Sequence, residues 1–178
     1  IVFLQMKTFL MICTHPNQYT GYAKVVSNIL RQAHLFPEVM FVVYGFQKHS
    51  IEHRSITGDN IVIHDASKEN DTFGLSSVSD FVKMSQPDHI FIFNDACVVC
   101  SFVEQIKHVK PKLCKVSVYL DQVYKHTKPQ YVSILNTTDH VFCFSKDWED
   151  EIKFCGLTVP TSVLEHGIDA SIKPIDKT

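Results

Sequence analysis

The sequence predicts an α/β fold, a doubly wound Rossmann-like parallel sheet of about seven strands with helices on both faces. Three observations lead there. Seven short runs rich in Val, Ile, Phe and Leu recur along the chain, and most are continuously apolar, as strands covered on both faces are. Between several of them, apolar residues return at helical spacing instead.

The first run is 8–13, and Gly21 opens the helix that follows, with Ala23, Val26, Leu30 and Ala33 along one face. The second run is 39–44. Residues 45–59 show no clear period and carry His49 and His53, so a loop is expected before the third run at 60–64. A helix is expected over 73–84, stopped by Gln86-Pro87 because proline disfavours helix in the residue before it. Run 89–93 precedes a helix lined by Val99, Phe102, Val103 and Ile106, and run 115–120 comes next. Run 140–144 leads into a helix with Ser145 at its N-cap, Trp148, Ile152 and Cys155 on one face, and Gly156 as its stop. Run 161–164 ends in Glu165-His166-Gly167-Ile168-Asp169. The expected organisation is one domain over 1–170, with 171–178 the start of a linker.

At 178 residues, 45% hydrophobic and 20% charged, the chain can bury one sizeable core. Its formal charge of −2 is dispersed, which argues against a nucleic-acid partner. No apolar run is long enough for a transmembrane segment, and peripheral membrane association is the membrane role left open. Residues 1–7 lack the basic region and cleavage site of a secretory signal, and Met6 could be the natural first residue. Six cysteines lie mostly within apolar runs, which suits a reducing, cytoplasmic compartment. Cys97-Val98-Val99-Cys100 has redox spacing, but two intervening valines favour packing. No second pair of ligands completes a zinc site, and no metal is expected. Asn70-Asp71-Thr72 and Asn136-Thr137-Thr138 match the glycosylation pattern, which matters only in a secreted protein.

In a doubly wound sheet, ligands collect at the carboxyl ends of strands. After the first strand come His15 and then Gly21 and Tyr22 at a helix N-terminus, which suits phosphate or simply a capped helix. A single glycine and no Gly-Lys-Ser/Thr disfavour NAD or ATP binding of the familiar types. After the fourth come Asn94 and Asp95, either sugar-hydroxyl partners or an N-cap. After the fifth come Asp121, Gln122 and Tyr124: a carboxylate that can orient hydroxyls or act as a base, or a solvated loop acid. His166 abuts Gly167 at the end of the last strand. No Gly-x-Ser-x-Gly elbow is present, which disfavours an α/β-hydrolase.

These features resemble the N-terminal half of two-Rossmann-domain (GT-B) glycosyltransferases, especially the retaining family 4 type. The resemblance runs over essentially the whole chain. It rests on the run Lys7-Thr8-Phe9-Leu10-Met11-Ile12 leading to Gly21, on 87–95, on Val141-Phe142-Cys143-Phe144-Ser145, and most specifically on 163–169. Residues 119–124 are also similar to enzymes of large DNA viruses. The resemblance implies a hexosyltransferase-like enzyme moving a sugar from a nucleotide-sugar donor to a hydroxyl on a glycan, lipid or protein acceptor, with retention. The nucleotide-sugar is a co-substrate, and no cofactor or metal is implied; an Asp-x-Asp motif is also absent. Gly21 and Tyr22 would face the donor phosphates; His15, Asn94, Asp95 and Tyr124 would meet the acceptor. Ser145, His166, Gly167 and Asp169 would border the interdomain cleft. Asp121 falls where many relatives carry histidine, which makes it a candidate substrate-orienting catalytic group. The donor-binding domain, with its paired glutamates, would follow residue 178, so these residues alone are expected to fold and to be inactive. The alternatives are a non-catalytic Rossmann-like ligand-binding module and a redox protein using Cys97 and Cys100.

Overall fold

The computed structural model describes residues 6–47, 56–122 and 124–167. Seven parallel strands form one sheet: β1 (Lys7–Thr14), β2 (Val39–Phe46), β3 (Ile61–Asp65), β4 (His89–Asn94), β5 (Lys115–Leu120), β6 (His140–Cys143) and β7 (Thr161–Val163). Their order is β3-β2-β1-β4-β5-β6-β7, so the order in which strands are added reverses between β1 and β4. Leu10 and Ile12 point to one face of β1, Met11 and Cys13 to the other, and all four are buried. Double burial is why these strands read as unbroken apolar runs.

The helices are α1 (Gly21–Leu30), α2 (Val78–Ser85), α3 (Ala96–Ile106), α4 (Pro129–Leu135) and α5 (Lys146–Phe154). α1 packs Val26 and Leu30 on the Met11 face. The Leu10 face takes Val82 of α2, Val99 and Phe102 of α3, Val132 of α4 and Ile152 of α5.

Two expectations are corrected and one helix is added. The helix expected over 73–84 begins only at Val78, because Gly74 sits at φ +68° and residues 71–77 form turns. The first helix ends at Leu30, and Ala33 is buried instead in a 3-10 turn, Ala33–Leu35. α4 was not anticipated: it is seven residues long, and only Val132 and Leu135 are buried. The Lys128-Pro129 step was its signal, since proline favours the first helical position. His49, His53, Asp169 and the expected linker lie outside the described residues.

Glu149 locks α5 to β7. The buried carboxylate accepts from Lys146 (2.6 Å), from Lys153 (2.9 Å) and from the Thr161 hydroxyl. The Lys146, Thr161 and Lys153 hydrogen bonds hold its acid down at about 2. An unfolded glutamate titrates near ~4.3. The folded value is the lower one, so this stabilisation is present above that pH and fades as pH falls towards 2. Glu149→Gln is therefore expected to lower the urea midpoint at neutral pH and to flatten its fall below about pH 4.

All six cysteines are free. Cys100 is buried in the core, and burial pushes its thiol up to about 12, whereas Cys97 is exposed. A dithiol pair with one inert partner suits packing. Iodoacetamide under native conditions is expected to label Cys97 and spare Cys100, read by peptide mass spectrometry; labelling of both would revive the redox reading. The Asn136 amide donates to Gly156 O (3.2 Å) and accepts from Thr158 N (2.8 Å), so this acceptor-pattern asparagine is committed to packing. No helix among the described residues is long and apolar enough to cross a membrane.

Candidate functional site

The reversal of strand order opens a crevice at the carboxyl ends of β1 and β4, and the Asn94 amide ties its floor by donating to Thr14 Oγ1 (3.1 Å). Above it, Tyr22 reaches from the first turn of α1 and donates its hydroxyl to Asp95 Oδ1 (2.7 Å). Asp95 holds the N-cap position of α3, but its side chain caps nothing; its carbonyl accepts from Val99 N and its carboxylate belongs to Tyr22. Asp121 joins them from the end of β5, its N–H donating to Asn94 O (3.3 Å). Burial, then the Asp95 hydrogen bond and the Asp121 charge, push the Tyr22 phenol well above its ordinary value. Near neutrality the phenol therefore stays a donor between two carboxylates.

Tyr119 links this group to the end of β7. Burial first and the Asp121 charge second push it up to about 12, and its hydroxyl donates to Leu164 O (2.6 Å). His166 stacks on Phe144 (5.8 Å) and sets its ring against Tyr119 (5.7 Å) and Phe93 (6.4 Å). A groove of about 480 Å3 runs between this aromatic wall and α1, lined by Ile29, Arg31, Tyr119, His166 and Gly167. A second, of about 360 Å3, lies on the other side of the carboxylates, lined by Asp95, Cys97, Asp121, Tyr124 and Lys128. Both volumes suit a small ligand. Another cavity, of about 670 Å3, lies between Met6, Arg31, Pro37 and Ile61 and carries neither carboxylate.

The remaining site residues are distributed as follows. Gly21 has open space where a side chain would stand, and Thr20 Oγ1 caps α1 by accepting from Ala23 N (3.2 Å). His15 is buried, and its Nδ1 accepts from Asn17 N (3.2 Å) while its ring lies against Gly45; it braces the loop instead of presenting itself to solvent. Tyr124 is exposed, on a loop held by Gln122, whose buried amide donates to Tyr124 O (3.0 Å) and to Thr127 Oγ1. Ser145 caps α5, its hydroxyl accepting from Trp148 N (3.4 Å). The Tyr22–Asp95 bond spans 73 positions, and no local pattern announces such a partner. Among the described residues no group of three or more His, Cys, Asp or Glu side chains is placed to hold a metal ion.

No family model matches the chain, and no curated protein matches it. Among solved structures it is similar to a short-chain dehydrogenase/reductase (wide type) from Veillonella parvula DSM 2008 in complex with NADP. That likeness has a TM-score of 0.50 and 12% identity, over 77% of this chain and 68% of the other. The chain is a Rossmann-like α/β domain. A second likeness, to an alpha-glucosyltransferase in complex with UDP and a 13-mer DNA containing a central A:G mismatch, has a TM-score of 0.44 and 14% identity. It covers 86% of this chain and 39% of that one. At 12% identity the dehydrogenase likeness shows the fold alone, and the chemistry of this domain has to be argued from its own side chains.

Proposed function

We propose that this domain is the acceptor-side half of a nucleotide-sugar glycosyltransferase of the GT-B type, transferring a hexose to a hydroxyl with retention. The observation that carries the reading is the meeting of Tyr22, Asp95 and Asp121 at the strand-order reversal, with His166 on the neighbouring wall. Acceptor hydroxyls need hydrogen-bond acceptors fixed in direction, and two carboxylates steered by one phenol supply them. Asp121 orients the attacking hydroxyl, and Asp95, held by Tyr22, positions the acceptor ring. The open N-terminus of α1 at Gly21 faces the donor diphosphate, where its dipole offsets charge that develops as the leaving group departs. Ser145, His166 and Gly167 border the cleft that the donor-binding domain closes. Six free thiols fit a reducing, cytoplasmic setting.

The test is turnover of a panel of nucleotide-sugars by the protein carried through the donor-binding domain expected beyond residue 178. Transfer is expected there, and none from the 178 residues alone, because on this reading the donor side of the cleft belongs to the second domain. Saturable small-ligand binding without turnover in the longer protein would favour the non-catalytic module. Transfer by the 178 residues alone would refute the division of labour.

A further inference from the structure

The amino-terminal edge of the sheet, remote from Asp95 and Asp121, displays two large apolar side chains, Leu113 beside lysines and Met84 beside the Lys83–Asp80 ion pair. Leu113 is 89% exposed and Met84 is 76% exposed. Met84 lies in the last turn of α2, five residues before β4, and Leu113 lies two before β5. His89 and Lys115 pair where β4 and β5 begin, so both side chains sit on the same rim of the sheet. Leu113 is held out by a rigid turn: Cys114 N donates to Pro111 O (3.0 Å), Lys110 Nζ donates to Cys114 O (2.8 Å), and Cys114 itself is buried. Around the turn, residues 105–115 carry Lys107, His108, Lys110, Lys112 and Lys115 and no carboxylate. Lys107 and Lys115 are paired with Glu104 and Asp139, while Lys112 has no ion-pair partner among the described residues.

The geometry points to this rim as a docking surface for an anionic lipid bilayer. Charge complementarity is local, because the whole chain carries −2 and a bilayer would repel it elsewhere. Single protruding apolar side chains suit a bilayer, which accepts them without shape complementarity; a protein partner needs a contiguous patch, and nucleic acid offers Leu113 and Met84 no apolar seat. Docked this way, the domain leaves the carboxyl-terminal crevice facing water.

Sedimentation with phosphatidylcholine vesicles, with and without phosphatidylserine, tests the assignment. The protein is expected to sediment only with the phosphatidylserine vesicles and to be released as salt is raised. Leu113→Ser and Lys112→Glu are each expected to lower the bound fraction about fivefold or more, with Tm unchanged, while Val62→Ser on β3 binds like the parent. Leu113→Gln serves as a second apolar-to-polar variant should the serine variant melt early. Failure to bind phosphatidylserine vesicles overturns the proposal, as does binding that ignores Leu113. Capture of RNA or of an acidic protein in place of vesicles also overturns it.

Discussion

Gly74→Ala is expected to destabilise the domain by about 3 kcal/mol, the sum of left-handed backbone strain and a clash that a core cannot relax cheaply. Gly74 sits at φ +68°, and a Cβ there would lie 2.7 Å from Ala66 O and 2.7 Å from the Tyr44 hydroxyl. The Ala66 contact is to backbone, so side-chain rotation gives no escape. Tyr44 is fully buried in β2, and its hydroxyl donates to Gly74 O and also meets Ser77 Oγ (2.9 Å); displacing the turn costs the bond to Gly74. For a chain of this size the loss corresponds to a Tm lower by roughly 6–12 °C. Urea melts should show a lower midpoint at an unchanged slope. Gly21→Ala is the contrast, because a Cβ there meets nothing within 4 Å. An equal loss at both positions would show that helix propensity and turn entropy, not this close approach, set the cost.

Asp121→Asn is expected to lower transfer about 100-fold in kcat, with a smaller change in the acceptor KM, while leaving Tm within a degree or so of the parent. The amide keeps the shape and one acceptor oxygen, but it loses the charge that polarises a hydroxyl. Tyr22→Phe separates orientation from charge. It removes the donor to Asp95 and the phenol that lies beside both carboxylates. That variant is expected to lose about 1–2 kcal/mol of stability and to bind acceptor less well. Full activity in Asp121→Asn, measured with saturating donor, would remove Asp121 from the mechanism and leave the crevice as a binding feature only.

Seven strands and the parallel sheet were legible because double burial writes itself into sequence as continuous apolar runs, as at Leu10 to Cys13 and Ile90 to Phe93. The caps at Thr20 and Ser145 and the turn at Gly156 are local hydrogen-bond and backbone events, so the positions around Gly21, Ser145 and Gly156 could be read from neighbours in the chain. The helix expected from Phe73 failed because its competitor was distant: Tyr44, thirty positions away, claims the Gly74 carbonyl and fixes a turn. Helix α4 was missed because seven residues with two buried positions leave no period to detect.

The site divides along the same line. Chain order alone placed His15, Asn94, Asp95, Asp121 and His166 at strand ends, since strand polarity in a parallel sheet determines which residues reach one edge. Which of them meet depended on side-chain direction in three dimensions. Folding turned His15 inward against Gly45, joined Tyr22 to Asp95, and set Tyr119 between Asp121 and His166. Periodicity and polarity are properties of neighbouring residues, so the sequence by itself determined the sheet and which residues reach its carboxyl edge. Hydrogen bonds between residues far apart in the chain depend on how the strands are ordered, so only the tertiary structure decided the contacts within that edge.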